Sequence, residues 1–150
     1  MFGTILMVCT GNICRSPMAE AALAARLGRH GVAVVVESAG IAALVGRPPE
    51  SIAQELMAER GLDISGHRAR QLTPELIRPF ELILVMETDQ QRAVEAILPS
   101  ARGRVRRIGH WGGFDVPDPY RHGRPAFERS LALIDRGLGE LEKAFWSQPR

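Results

Sequence analysis

Apolar residues along the chain fall into short, nearly continuous runs that alternate with stretches of helical spacing. The runs are rich in aliphatic and β-branched residues, which is typical of strands buried on both faces. Strands are therefore predicted at Thr4–Val8, Val32–Val36, Leu82–Met86 and, more weakly, Arg104–Ile108.

Four helices are predicted between and after these strands, because apolar residues recur there at helical spacing. The first is expected to have Ser16 as its cap and Pro17 at its first helical position. The other three are expected around Ile52–Met57 with an end at Gly61, over Thr88–Leu98, and over Phe127–Phe145.

This alternation predicts parallel βαβ units with right-handed crossovers, and so an α/β fold built as a three-layer sandwich. A chain of 150 residues is long enough for one hydrophobic core and too short for two. Residues 1–150 are therefore expected to form a single domain. Ligands in such sheets bind beyond the carboxyl ends of the strands, and the first strand-to-helix turn here is Cys9–Arg15.

Composition excludes several classes of function. The formal net charge is only +2, so nucleic-acid binding is not expected, and the basic stretch Arg102–Arg107 is interpreted as a solvated face. Cys9 and Cys14 cannot form a disulfide framework, and no signal peptide is recognisable. The apolar segment Met1–Val8 is too short to cross a bilayer. We expect a cytoplasmic monomer without membrane insertion.

The turn after the first strand has the composition of a phosphate-binding loop. It reads Cys-Thr-Gly-Asn-Ile-Cys-Arg and is followed by Ser-Pro and a helix. Backbone N–H groups and the helix dipole favour an anion at such a place. Gly11 is expected to permit the close turn, Asn12 to adopt left-handed dihedrals, and Arg15 to grip two phosphate oxygens. The residues expected around the phosphate are Thr10, Gly11, Asn12, Ile13, Cys14 and Arg15.

The same fields favour the thiolate form of Cys9, which makes this cysteine a candidate nucleophile. It would form a phosphocysteine that water later cleaves, and Ser16 could donate a hydrogen bond to its sulfur. The alternative is a small buried cysteine at the end of a strand. The loop lacks the glycine and lysine pattern of nucleotide-binding loops, which disfavours that function.

Four segments together resemble the low-molecular-weight protein tyrosine phosphatases. They are Cys-Thr-Gly-Asn-Ile-Cys-Arg-Ser-Pro at 9–17, Glu-Ser-Ala-Gly at 37–40, His-Arg-Ala-Arg-Gln at 67–71 and Asp-Pro-Tyr at 118–120. The resemblance implies a four-stranded parallel sheet flanked by helices and needs no metal or cofactor. It implies that Cys9 is the nucleophile, Arg15 the phosphate clamp and Asp118 the general acid. It also implies a supporting polar network of Asn12, Ser16, Ser38 and His67, although His67 alone would be interpreted as an ordinary surface or core histidine.

Asp118 also has a physical argument in its favour. Pro117 and Pro119 stiffen the backbone on either side of it. A carboxylic acid placed there could protonate the leaving phenolate. Asp115 is the rival acid, and Asp118 could instead only begin a turn.

Related activities remain open at the level of sequence. Protein arginine phosphatases of this fold usually carry threonine where this chain has Ile13, and arsenate reductases of the fold need cysteines beyond Cys14. A binding module that holds phosphoprotein without turnover is a further alternative. Cys14 resembles the cysteine that in this family can form a reversible disulfide with the nucleophile, here Cys9. Alternatively, Cys14 is only a small residue of the core.

Within the family, the chain resembles the bacterial branch paired with tyrosine autokinases of polysaccharide export. Ala-Leu-Val-Gly at 43–46, Gly-His-Trp at 109–111 and Val-Pro-Asp-Pro-Tyr-Arg at 116–121 carry this likeness. A phosphotyrosine protein of that kind is the expected partner. The substrate cleft is expected to be framed by Ile13, Leu44 and Tyr120, with Leu44 where an aromatic residue usually stands and Arg121 in place of a second tyrosine. Trp111 could add aromatic surface to the cleft or simply pack.

Overall fold

Four parallel strands form the centre of the structure. The computed structural model describes residues 2–146. The strands lie in the order β2-β1-β3-β4, and each neighbouring pair is parallel. This confirms the predicted α/β class and the four-stranded parallel sheet. The strands are β1 (Thr4–Cys9), β2 (Val35–Gly40), β3 (Leu82–Val85) and β4 (Val105–Arg107).

Helices cover both faces of the sheet, as the three-layer prediction requires. Side chains alternate along each strand, so Ile5 and Met7 belong to one buried cluster and Leu6 and Val8 to another. The first cluster is covered by three helices: α1 (Arg15–Arg29), α2 (Ser51–Ala58) and α5 (Arg124–Phe145). The second cluster is covered by α3 (Pro74–Ile77), α4 (Thr88–Ile97) and a 3₁₀ turn (Pro99–Ala101). No helix within residues 2–146 combines the length and the apolar character needed to cross a membrane.

The second strand lies further along the chain than its apolar run predicts. The prediction was Val32–Val36, whereas β2 pairs residue by residue with β1 from Val35 to Gly40. The fully buried residues of β2 are Ser38, Ala39 and Gly40, whereas Val35 is 50% exposed and Val36 is only partly buried. Pairing with β1 outweighs local hydrophobicity here, and the Glu-Ser-Ala-Gly segment becomes the end of the strand beside the Cys9–Arg15 loop.

The predicted cap of the first helix is wrong. Helix α1 begins at Arg15, with Cys14 at the capping position and no side-chain cap, so Pro17 is its third residue. Ser16 is buried inside the first turn and directs its hydroxyl toward Cys9. The short helix α3 was not predicted, since a single turn produces no measurable period.

The sheet order places the Cys9–Arg15 loop at a switch point, because the chain runs from β1 to β2 on one side and from β3 to β4 on the other. β1 lies between β2 and β3, and in open α/β sheets such a switch point forms a crevice at the carboxyl edge. Gly40, paired with Cys9, lets the loop approach β2 closely. A Cβ at residue 40 would lie 2.6 Å from the carbonyl oxygen of Thr10, so only glycine fits without moving the loop.

Helix α5 makes a similar close approach through Gly137, which leads to a stability prediction. A Cβ at Gly137 would lie 2.5 Å from the carbonyl oxygen of Ile108. Overpacking of this kind costs about 1–3 kcal/mol, more than the roughly 1 kcal/mol by which alanine favours a helix over glycine. Gly137→Ala should therefore lower the free energy of unfolding measured in urea.

Gly139 in the same helix is the matched control. A Cβ there would meet only Arg26 Nη1, at 3.7 Å, which is an ordinary contact. Gly139→Ala should raise the free energy of unfolding by about 0.5–1 kcal/mol. A Gly137→Ala protein as stable as the Gly139→Ala protein would contradict the close packing of α5.

Candidate active site

The Cys9–Arg15 loop turns its carbonyl groups outward. Each carbonyl oxygen from Cys9 to Ile13 has a hydrogen-bond partner outside the loop. The partners are Ile41 N for Cys9 (3.0 Å), Ala42 N for Thr10 (2.9 Å), Leu44 N for Gly11 (3.0 Å), His67 Nε2 for Asn12 (3.1 Å) and Glu50 N for Ile13 (2.8 Å). Because a trans peptide holds N–H and C=O in opposite directions, the following N–H groups point to the centre of the loop. The result is a ring of donors that can surround an anion.

Asn12, rather than Gly11, bends the loop. Asn12 has a φ of 60°, in the left-handed region that asparagine tolerates well, as predicted. Gly11 has no such φ, so the expectation that its flexibility permits the turn is wrong. A Cβ at Gly11 would lie 3.6 Å from Ile13 and 3.9 Å from Leu44, between two residues that line the cavity described below. Glycine therefore leaves space between these walls.

The sulfur of Cys9 lies at the base of this ring. Its side chain is buried, and Sγ accepts a hydrogen bond from the backbone N–H of Asn12 at 3.3 Å. Ser16 Oγ lies 2.9 Å from the sulfur and accepts a hydrogen bond from Asn12 Nδ2 at 2.7 Å. That bond leaves the Ser16 proton free to point at the sulfur. The backbone N–H of Asn12 and the hydroxyl of Ser16 can thus both donate to the Cys9 sulfur.

The predicted supporting residues form one connected network behind the loop. Asn12 Nδ2 also donates to Ser38 Oγ at 3.0 Å, and Ser38 donates to Glu20 Oε1 at 2.6 Å. His67 bonds the Asn12 carbonyl and has Nδ1 4.0 Å from Glu20 Oε1. The backbone N–H of Arg70 donates to Asn12 Oδ1 at 3.0 Å and so fixes the orientation of the amide. Glu20 and Arg70 were not predicted; the Arg70 bond uses a backbone group, which has no side-chain signal.

Arg15 is held along one edge and free along the other. Its side chain is buried, and Nη1 donates to Glu87 Oε1 at 2.6 Å and to the carbonyl oxygen of Val116 at 2.7 Å. Nε is buried and has no hydrogen-bond partner among the described residues. Nη2 lies 3.8 Å from Asp118 Oδ2. The Nε–Nη2 edge is therefore available for two parallel bonds to an oxyanion.

The start of helix α4 holds the loop through two residues that sequence analysis missed. Glu87 and Gln90 form a capping box, and Glu87 also binds Arg15. Gln90 is buried, accepts hydrogen bonds from the backbone of Met86 and Glu87, and donates to Thr10 Oγ1 at 3.1 Å. A Glu-x-x-Gln pattern signals a helix start. It does not reveal that the same side chains reach the loop.

The two candidate aspartates have different surroundings. Asp118 lines the cavity beside Cys9 and Arg15, and its Oδ1 accepts a hydrogen bond from the N–H of Tyr120 at 3.1 Å. Asp115 binds Arg107 at 2.9 Å and Thr88 at 3.3 Å and does not line the cavity.

Two hydrogen bonds hold the segment that carries Asp118, one to the residue after β3 and one from helix α5. The N–H of Val116 donates to the carbonyl of Met86 at 2.8 Å, and Ser130 Oγ on α5 donates to the carbonyl of Pro117 at 2.8 Å. Ser130 is buried and was also missed by the sequence analysis. These bonds hold the backbone beside Asp118, whose half-exposed carboxylate lines the cavity near Arg15.

The cavity above Cys9 has a volume of about 200 Å³. The predicted cleft residues Ile13, Leu44 and Tyr120 form its apolar walls, together with Ala42, which was not predicted. Trp111 packs edge-on against Phe145, with ring centroids 5.9 Å apart, and does not line this cavity. Among residues 2–146, no three His, Cys, Asp or Glu side chains cluster closely enough to hold a metal ion.

Cys14 differs from Cys9 in its electrostatic surroundings. Both are buried free thiols. Burial, reinforced by the negative charges of Cys9, Asp118 and Glu50, raises the pKa of the Cys14 thiol far above its usual range. Cys14 therefore stays neutral. Its redox partnership with Cys9 stays a prediction.

Comparison with known proteins agrees with this geometry along nearly the whole chain. Residues 4–148 match the family model described as low molecular weight phosphotyrosine protein phosphatase. The probable low molecular weight protein-tyrosine-phosphatase EpsP of Ralstonia solanacearum is 52% identical over 138 residues, which cover 92% of each chain.

Two solved structures extend the likeness to three dimensions. The tyrosine phosphatase Wzb from Escherichia coli K30, in complex with sulphate, has a TM-score of 0.89 and 36% identity, covering 96% of this chain and 99% of that one. Vibrio vulnificus Wzb, in complex with benzylphosphonate, has a TM-score of 0.90 and 40% identity, covering 97% of this chain and 100% of that one. The chain therefore belongs to the low molecular weight protein-tyrosine-phosphatase family and is a protein-tyrosine phosphatase.

Proposed function

We propose that Cys9, Arg15 and Asp118 hydrolyse phosphotyrosine in proteins through a phosphocysteine intermediate. The observation that carries this proposal is the ring of inward N–H groups centred on the Cys9 sulfur, with the free edge of Arg15 beside it. Donors in this arrangement stabilise the negative charge that is spread over the three phosphoryl oxygens during transfer, and they need no reorganisation.

In the first step the Cys9 thiolate attacks phosphorus and the bond between phosphorus and the tyrosine oxygen breaks. The electron pair of that bond goes to the tyrosine oxygen. The protonated Asp118 donates a proton to this oxygen, so that tyrosine leaves as a neutral phenol. The loop N–H groups and the Nε–Nη2 edge of Arg15 hold the three remaining phosphoryl oxygens. Asp118 is suited to this role because its carboxylate lies at the rim beside Arg15.

In the second step water attacks the phosphocysteine, and the Asp118 carboxylate accepts a proton from that water. The bond between phosphorus and sulfur breaks, and its electron pair returns to Cys9 as the thiolate. A hydrogen bond from Ser16 stabilises this thiolate as it leaves. Inorganic phosphate is released and Asp118 is again protonated for the next turnover.

The cavity walls favour an aromatic ester over an alkyl one. Ile13, Leu44 and Tyr120 present apolar surface above the sulfur, so they can flank the phenyl ring of phosphotyrosine. Phosphoserine is too short to bring its phosphate to the base of such a cleft without burying the peptide backbone. The apolar lining above the sulfur is therefore the proposed basis of selectivity for phosphotyrosine.

We further propose that the physiological substrate is a bacterial tyrosine autokinase that controls exopolysaccharide or capsule production. The support is the likeness of residues 43–46, 109–111 and 116–121 to the bacterial branch, together with the identity to EpsP. The cytoplasmic location and the monomeric state expected from the sequence remain part of this proposal.

Cys9→Ser should abolish turnover of phosphotyrosine peptides, by at least about 1,000-fold, since a serine hydroxyl is not ionised near neutral pH. The melting temperature should stay close to that of wild type. Activity within tenfold of wild type would remove Cys9 from the mechanism.

The same variant tests the proposed partner. Because the ring of donors is intact, Cys9→Ser protein should retain a tyrosine-phosphorylated autokinase in a pull-down, and free phosphate should displace it. Retention of unphosphorylated kinase to the same extent would argue against recognition through this site.

Arg15→Lys should lower kcat/KM by at least about tenfold, because an ammonium cannot make the planar two-point contact. Glu87→Gln should lose less, since the amide oxygen can still accept a hydrogen bond from Nη1. Steady-state rates on one phosphotyrosine peptide give both values. Equal losses in the two variants would mean that the charge of Glu87 matters as much as the shape of Arg15.

Asp118→Asn should slow hydrolysis of a phosphotyrosine peptide by about 100-fold or more, with a smaller loss on p-nitrophenyl phosphate, whose leaving group needs little protonation. The alkaline limb of the pH–rate profile should flatten at the same time. Asp115→Asn is the matched control and should change either rate less than about twofold, because Asp115 is engaged with Arg107 outside the cavity. The reverse ranking would move the acid to Asp115.

A further inference from the structure

Arg121 stacks on Tyr120, a residue that lines the cleft. Its guanidinium carbon is 5.0 Å from the centroid of the Tyr120 ring, and Tyr120 lines the cavity above Cys9. Arg121 has a φ of 65°, which is uncommon for a residue with a long side chain. The turn that imposes it is closed by His122 N, which donates to the carbonyl of Pro119 at 3.0 Å. The stacking and the turn together hold the charge beside the mouth of the cleft.

The charge of Arg121 is not neutralised by a neighbouring side chain. Its side chain is exposed, and none of the ion pairs formed among residues 2–146 includes it. Nearby arginines differ: Arg15 binds Glu87, Arg107 binds Asp115 and Arg124 binds Glu59. Asp118 is the one carboxylate in residues 116–121. It accepts a hydrogen bond from the N–H of Tyr120 and lies near Arg15. Arg121 therefore presents a stacked, unpaired guanidinium to whatever occupies the rim.

A bound substrate would bring its own side chains to this place. When the phosphotyrosine ring is flanked by Tyr120, the peptide leaves the cleft at the rim, and successive Cα atoms are about 3.8 Å apart. Residues one or two positions from the phosphotyrosine are then within reach of the Arg121 side chain. A guanidinium can donate hydrogen bonds to a carboxylate along its edge while its face stays on an aromatic ring.

We propose that Arg121 selects phosphotyrosine substrates that carry Asp or Glu one or two residues from the phosphotyrosine. This inference rests on the proposed function, because it takes the Cys9 cavity as the place where phosphotyrosine binds. Exposed ion pairs are weak, so the preference should be modest, about three- to fivefold at low ionic strength, and it should fade with added salt.

The test compares kcat/KM for matched peptides that differ only by Glu or Gln at the flanking positions. Wild type should favour the Glu peptides about three- to fivefold, and Arg121→Gln should bring that ratio to about one. The ratio is internal to each protein, so a general loss of activity in the variant cancels. Arg121→Lys, which keeps the charge but not the planar fork, should give an intermediate ratio.

Arg102→Gln is the matched control. Arg102 is an exposed arginine that precedes β4, at the edge of the sheet opposite the cleft, and it forms no ion pair with a described residue. Arg102→Gln changes the net charge by as much as Arg121→Gln does, and it should leave the wild-type ratio intact.

If Arg121→Gln keeps the wild-type ratio, or if Arg102→Gln loses it, the inference is overturned. A wild-type ratio of one with normal tyrosine turnover would overturn this inference alone, whereas intact turnover in Cys9→Ser would overturn the proposed function instead.

Discussion

The structure depends on one constraint: five successive carbonyl groups must point away from the Cys9 sulfur. A peptide that flipped would turn a carbonyl oxygen toward the bound phosphate and repel it. Each outward carbonyl is bonded by a segment from elsewhere in the chain, either the turn after β2, the start of α2 or the ring of His67. The donors are thus held in place before any ligand binds, which is how a site stabilises charge without reorganisation.

The Arg15 guanidinium is also held in place before a ligand binds. Glu87 and the Val116 carbonyl occupy one edge of the Arg15 guanidinium, so that the other edge faces the cavity with its Nε unsatisfied by protein. A buried donor without a partner is costly, and a bound oxyanion relieves that cost. Helix α4 supplies both Glu87 and Gln90, so its first turn couples the arginine at one end of the loop to Thr10 at the other.

Much of the candidate site could be predicted because its residues are adjacent in the chain. The loop from Cys9 to Arg15 is a contiguous segment between a strand and a helix, and its residue types indicate phosphate chemistry by themselves. Ser16 shows the limit of that argument. Its position before proline is typical of a helix cap, yet the helix begins one residue earlier and buries the hydroxyl beside the Cys9 sulfur.

The sequence by itself determined the fold class and the chemistry of the loop, because strand and helix periods and a contiguous motif are local properties of the chain. Tertiary structure decided the register of β2, since pairing with β1 outweighed its own apolar run. It also separated two aspartates that sequence alone left as rivals: Arg107 binds Asp115, whereas Asp118 faces the cavity. Contacts such as that between Arg15 and Glu87 join segments far apart in the chain, and only closure of the sheet and its helices brings them within bonding distance.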